Sequence, residues 1–172
     1  FQVNVLNGIY TRDLGVNFTL LTPFVYQDPN TDPFNPSANN RTAQAAAAVG
    51  MNFTQGQYDI GHVFHATAGG GSGVAGLGVV CSNGALGTPP SNPAPAAPFT
   101  TGGFQKGRGW TGISDGMSVT LGIRLSAHEF GHQFDAQHTF NGSGYNCSGG
   151  NFAESNSYEI ASGTTTMSYS GI

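Results

Sequence analysis

"HEFGHQFDAQH", residues 128–138, holds three of the chain's five histidines within eleven positions. His128 and His132 are four residues apart, so on one helix their imidazoles project from the same face, one turn apart. That spacing lets two neutral ring nitrogens meet one Zn²⁺ at about 2.0–2.1 Å. Glu129, beside the first histidine, points to the neighbouring side of such an ion. There it can take a proton from a water and later pass it to a leaving amine. HExxH specifies only three positions and recurs by chance in unrelated helices; the crowding of histidines here weighs against chance.

A catalytic zinc needs a third protein ligand and an open position. The candidates are His138, Asp135, and a downstream glutamate, Glu154 or Glu159. On a continued helix Asp135 returns to the histidine face but lies about 10.5 Å along the axis from His128, so three ligands in a row converge poorly on a tetrahedral ion. The glutamates sit in "NFAESNSYE" (151–159), which lacks a helical period. His138 would lie about 15 Å along an unbroken helix and can coordinate only if the helix stops near residue 135 and the chain doubles back. Such stops place a residue in the left-handed region, usually glycine. Aspartate is among the few others that visit it, because its short side chain bonds locally. Asp135 is therefore expected to be the turn residue.

Working outward, Val119, Leu121, Ile123, Leu125 and Phe130 give residues 117–134 helical spacing. Residues 1–15 carry Val3, Leu6, Ile9, Tyr10 and Leu14 near the same period, with Gly15 as the stop. Residues 16–21 alternate Val16, Phe18 and Leu20 as a half-buried strand does. Residues 27–40 are a turn-rich loop, and 41–50 an Ala-rich helix closed by Gly50. Residues 58–67 read as a strand, 69–81 as a glycine-rich loop running into another strand, and 82–105 as an irregular surface insertion. Regularity is lost from Thr139 onward. Strands and helices in this order predict an α+β fold.

The length, 172 residues, suits one domain with a real core. Five Lys/Arg stand against nine Asp/Glu, for a net charge of −4. With no basic stripe, nucleic acid and anionic membranes are disfavoured as partners. No apolar run reaches the roughly 18–20 residues of a membrane span. Only 8% of residues are charged, against about 25% in ordinary soluble domains. A surface solvated by amides and hydroxyls predicts a secreted, extracellular protein. The chain opens at Phe1 rather than Met, so a processed protein or a fragment is expected. Calcium near Asp28 and Asp32 finds no defensible ligand pattern. A second metal site at His62 and His65 lacks an obvious acidic partner.

With His138 included, residues 128–138 resemble HExxHxxGxxH, the zinc signature of metzincin metalloproteases, at every specified position except Asp135. "TTTMSYS" (164–170) supplies the methionine, Met167, that lies beneath the zinc in that family. "HEFGHQFDAQHTFNG", the following cysteine and "GTTTMSYSGI" resemble the bacterial reprolysin-like peptidases, with some likeness to pappalysins. The resemblance implies a two-lobed domain with a twisted mixed sheet, split as residues 1–135 and 136–172. It implies one zinc held by His128, His132 and His138, Glu129 as general base and acid, Met167 under the metal, and Tyr169 near the transition-state oxyanion. Val74, Ala75, Gly76, Leu77 and Gly78 would form the edge that pairs with an extended substrate. Composition and resemblance together predict a Cys81–Cys147 disulfide.

The function so implied is a zinc-dependent endopeptidase that cleaves protein or peptide substrates through a zinc-bound water, as a monomer. The competing reading is a non-catalytic zinc-binding module or an inactive fragment. The family's usual first strand and C-terminal helix would lie outside this chain, which begins in the first helix and ends five residues after Met167.

Overall fold

The computed structural model describes residues 2–28, 30–34, 40–67, 70–90 and 99–170. Parts of the loop at 27–40, of the glycine-rich stretch at 69–81 and of the insertion at 82–105 therefore lie outside the described residues. Among these residues three α-helices, α1 (Gln2–Leu14), α2 (Arg41–Asn52) and α3 (Val119–Gln133), accompany three strands, β1 (Val63–Thr67), β2 (Ser72–Ala75) and β3 (Gly109–Ser114). The strands form one mixed sheet in the order β1-β3-β2, with β1 parallel and β2 antiparallel to β3. The architecture is α+β, as expected.

α3 packs on β2 and β3, α1 packs on α3, and α2 packs on the sheet and on the chain entering β3. The α1–α3 seam is Leu6 and Tyr10 against Ala127 and Phe130, all buried. Tyr10 Oη also donates to the Ala127 carbonyl at 2.7 Å. In α2 the run Ala45–Ala48 is buried; side chains this small let the helix lie close to its neighbours. Trp110, fully buried, stands between Val63 and Val74 in register and packs with Phe34 and Ala45.

Two elements differ from expectation. Residues 16–21 form no strand. The Asn7 side chain takes both backbone groups of Phe18, accepting from its N–H at 2.6 Å and donating to its carbonyl at 2.9 Å. Phe18 thus enters the α1–α3 core while Leu20 and Leu21 stay exposed. In the glycine-rich stretch the strand is Ser72–Ala75, earlier than the expected one. Val79 and Val80 instead donate backbone N–H bonds to Gln133 O, at the end of α3. The ends of the insertion also pair, through an Ala85–Phe104 bridge.

Candidate metal centre

Ser118 caps α3 by accepting from Leu121 N at 3.2 Å, a common way to satisfy an orphan N–H of a helix start. The helix ends at a left-handed residue, Asp135, with φ +74°. Asp135 N donates to His132 O at 2.9 Å, and Ala136 N to Gly131 O at 3.0 Å. This pair of bonds is the Schellman closure, in which glycine usually occupies the Asp135 position. The chain therefore doubles back where the sequence requires it, and His138 returns to the face carrying His128 and His132.

The three Nε2 atoms lie 3.1 Å from one another in all three pairs. Each Nδ1 faces a backbone carbonyl, which can only accept: Thr166 O for His128 at 2.8 Å, Ala136 O for His132 at 2.7 Å, Asn151 O for His138 at 2.6 Å. A neutral imidazole that donates through Nδ1 carries a lone pair on Nε2. Three lone pairs thus converge with no proton among them, an arrangement that repels itself unless a cation sits on it. Tetrahedral ligand nitrogens about 2.0–2.1 Å from zinc lie about 3.3–3.4 Å apart, close to the observed triangle. The Nδ1 anchors are the outer hydrogen bonds that fix the tautomer of metal-bound histidines. The donor set fits zinc. Among the described residues these histidines form the one cluster of three or more ligand-type side chains.

Electrostatics agree with neutral ligands. Burial pushes His128 down to about 3, helped by His132 and His138 against the bond to Thr166. Burial likewise lowers His132 to about 4 and lowers His138. Glu129, 3% exposed, is raised by burial to about 8. Its Oε2 has no hydrogen-bond partner. The carboxylate lies against β2, where a Cβ at Gly73 would come within 2.4 Å of Oε1; only glycine leaves that space.

Tyr169 packs its ring against His128, His138 and Phe140, with centroids 5.6, 4.7 and 4.8 Å apart. Its phenol is raised to about 12 by burial, then by Glu129 and Cys147. Met167 lies in a turn, and a Cβ at Gly131 would come within 2.4 Å of its Sδ. Its sulfur thus rests on the α3 backbone between the two helical histidines. Val74 and Ala75 belong to β2, an edge strand. Gly76 and Gly78 leave the strand, donating N–H bonds to Arg108 O and His132 O, and Leu77 is exposed between them.

Other expectations need correction. Cys81 and Cys147 form no disulfide and are free thiols, one exposed and one buried. Cys81 is pinned in an exposed left-handed turn by the bond from its N–H to Asp59 O. Cys147 is buried in a turn at Tyr145–Cys147, within electrostatic reach of Tyr169. His65 does have an acidic neighbour, but it and His62 turn to different partners. His62 bridges Gln133 Oε1 and Thr111 Oγ1, while His65 faces Asp32 at 3.6 Å. Asp28 and Asp32 spend carboxylate oxygens on the N–H groups of Asn30 and Phe34.

Two side chains carry structure at the site that the sequence did not single out for it. Gln133, fully buried, donates to Gly61 O at 2.9 Å and accepts from His62, joining α3 to the chain before β1. Glu159, weighed above as a ligand, faces Thr139, Thr164 and Thr165 instead. Its partial burial works to raise its pKa, but these donors overcome that and hold it at about 2.

A three-histidine centre that fits zinc, with two ligands on the C-terminal half of a helix and the third past its closing turn, packed on a small mixed sheet, defines the class of a zinc peptidase. Residues 1–139 match the family described as Metallo-peptidase family M12B Reprolysin-like. The chain belongs to that family. It uses zinc and acts on protein or peptide substrates. Comparisons with curated proteins and with solved structures return no match.

Proposed function

We propose that the protein is a metzincin-type zinc endopeptidase in which His128, His132 and His138 hold the ion and Glu129 is the general base and acid. The carrying observation is the convergence of three Nε2 lone pairs, each set by an Nδ1–H bond to a carbonyl. Zinc bound there supplies Lewis acidity, polarising the scissile carbonyl and making a water a nucleophile at neutral pH. Glu129 supports the rest: a buried carboxylate with a vacant oxygen and a raised pKa takes a proton readily and hands it on to the leaving amine. Tyr169, its ring beside two of the histidines, is the donor we assign to the developing oxyanion. Met167 acts as the methionine beneath the metal.

β2 fits the role of substrate-binding edge. Among the described residues it has no second strand neighbour, and an extended peptide adding to it would gain backbone hydrogen bonds. Glu129 lies against Gly73 of the same strand, so the general base and the bound peptide share one reference. The chain is taken as one catalytic domain divided at residues 135 and 136, monomeric, secreted and not bound to membranes. Its low charge supports this, and among the described residues no helix is long and apolar enough to cross a membrane. A module using zinc for stability alone has no need of a buried carboxylate without a partner.

Glu129→Gln should keep one zinc per chain while lowering casein cleavage by about 10²–10⁴-fold. Elemental analysis and a cleavage assay check it; cleavage at the wild-type rate would sink the assignment. Chelation should abolish wild-type activity, and added zinc should restore it.

A further inference from the structure

Glu159 lies in the 140–172 segment, beyond the residues that match the family. Its Oε1 accepts from the hydroxyls of Thr139 and Thr165. Its Oε2 accepts from Thr164 N at 2.6 Å, Thr165 N at 3.0 Å and Thr164 Oγ1 at 3.3 Å. Every one of the five partners donates through an N–H or O–H, a demand that an ionised carboxylate meets and a carboxamide does not. The backbone of Glu159 is engaged as well, donating to Thr139 O and accepting from Asn141 N, both at 2.8 Å.

The two segments so joined both reach the metal centre. Thr139 directly follows His138, and its N–H donates to Met167 O at 3.2 Å. Thr164 and Thr165 directly precede Thr166, whose carbonyl fixes the ring of His128. One carboxylate therefore sets the distance between the segment presenting His138 and the turn orienting His128. No other acidic side chain does this among the described residues.

We propose that Glu159 is a positioning residue for the metal centre, setting the mutual geometry of His128 and His138 through Thr139, Thr164 and Thr165. This rests on the reading of the three histidines as a zinc site. A lost outer hydrogen bond typically weakens metal binding by about 10–100-fold. Glu159→Gln turns an NH₂ group toward at least two donors but leaves the Nδ1 bonds of the ligands in place, so the loss belongs at the lower end of that range.

The test measures zinc affinity by competition with a chromophoric chelator, and the visible d–d spectrum of the cobalt-substituted protein. Glu159→Gln should bind zinc about 10–100-fold more weakly and show altered band intensity, because cobalt bands report ligand geometry. Thr139→Val and Thr165→Val, which each remove one donor and leave the carboxylate, should show smaller losses and serve if Glu159→Gln fails to fold. Thr139→Ser restores the hydroxyl and should restore affinity. Wild-type affinity and spectrum in Glu159→Gln, or equal losses in Thr139→Ser and Thr139→Val, would overturn the inference. A wild-type chain that takes up no zinc would instead overturn the zinc reading beneath it.

Discussion

Asp135 stands at φ +74°, where a side chain costs roughly 1–2 kcal/mol that glycine avoids. The strain persists because the turn it makes brings His138 Nε2 to 3.1 Å from both helical histidines. Asp135→Gly should therefore keep zinc and activity and raise stability slightly. Asp135→Val, branched at Cβ and poorly suited to positive φ, should lose both zinc and activity. Zinc content and peptide cleavage measured side by side decide this; a valine variant with full zinc would mean that the turn forms without the residue's help. The triad and its turn were legible because spacing within eleven residues and one helical pitch determine them. The clamp made by Glu159 was not. Thr139 is 20 residues away, and an acceptor among Ser and Thr announces no partner.

At the scale of elements, α1 and α3 were legible from apolar period and α2 from its run of alanines; Gly15 stops α1 as expected, whereas α2 runs through Gly50, the expected stop, to Asn52. The central strand was not, and the reason is burial. Gly109, Trp110, Thr111 and Gly112 are all buried, so β3 lacks the alternation that marks a strand with one solvated face. Residues 16–21 fail in the opposite direction: they alternate, yet the Asn7 amide takes the place of a neighbouring strand at Phe18. Asn7→Ala would leave the N–H and carbonyl of Phe18 without partners in a half-buried setting. A loss of about 1–3 kcal/mol is expected, together with faster amide exchange and earlier proteolytic nicking within residues 16–25. Denaturant unfolding and limited proteolysis read the two effects separately; unchanged protection at Phe18 would show that the aromatic contacts alone hold the segment.

Across the whole molecule, the sheet and α3 meet at His62, a contact between distant segments that composition does not reveal. Its Nδ1 donates to Gln133 Oε1 at 2.9 Å, its Nε2 accepts from Thr111 Oγ1 at 2.8 Å, and its ring stacks on Phe130 with centroids 4.4 Å apart. Gln133 reaches on to Gly61 O. α3, β3 and the chain before β1 are thereby joined through one neutral imidazole. Burial lowers its pKa to about 4, against a smaller upward pull from Gln133, whereas an unfolded histidine titrates near 6.5. Between those values the unfolded chain binds the extra proton, so stability rises with pH across that window. The contribution is full above about pH 6.5, is lost as pH falls toward 4, and changes no further below. A difference of about 2.5 pK units corresponds to roughly 3 kcal/mol. The three ligand histidines are also lowered by burial, so the wild-type curve alone cannot isolate His62. The difference between wild type and His62→Gln can, because the ligand terms cancel between them. Unfolding free energies measured from pH 4 to 8 on the zinc-free proteins should give a difference that grows with pH up to about 6.5 and is level beyond. A difference independent of pH would mean that His62 supports the junction through packing alone.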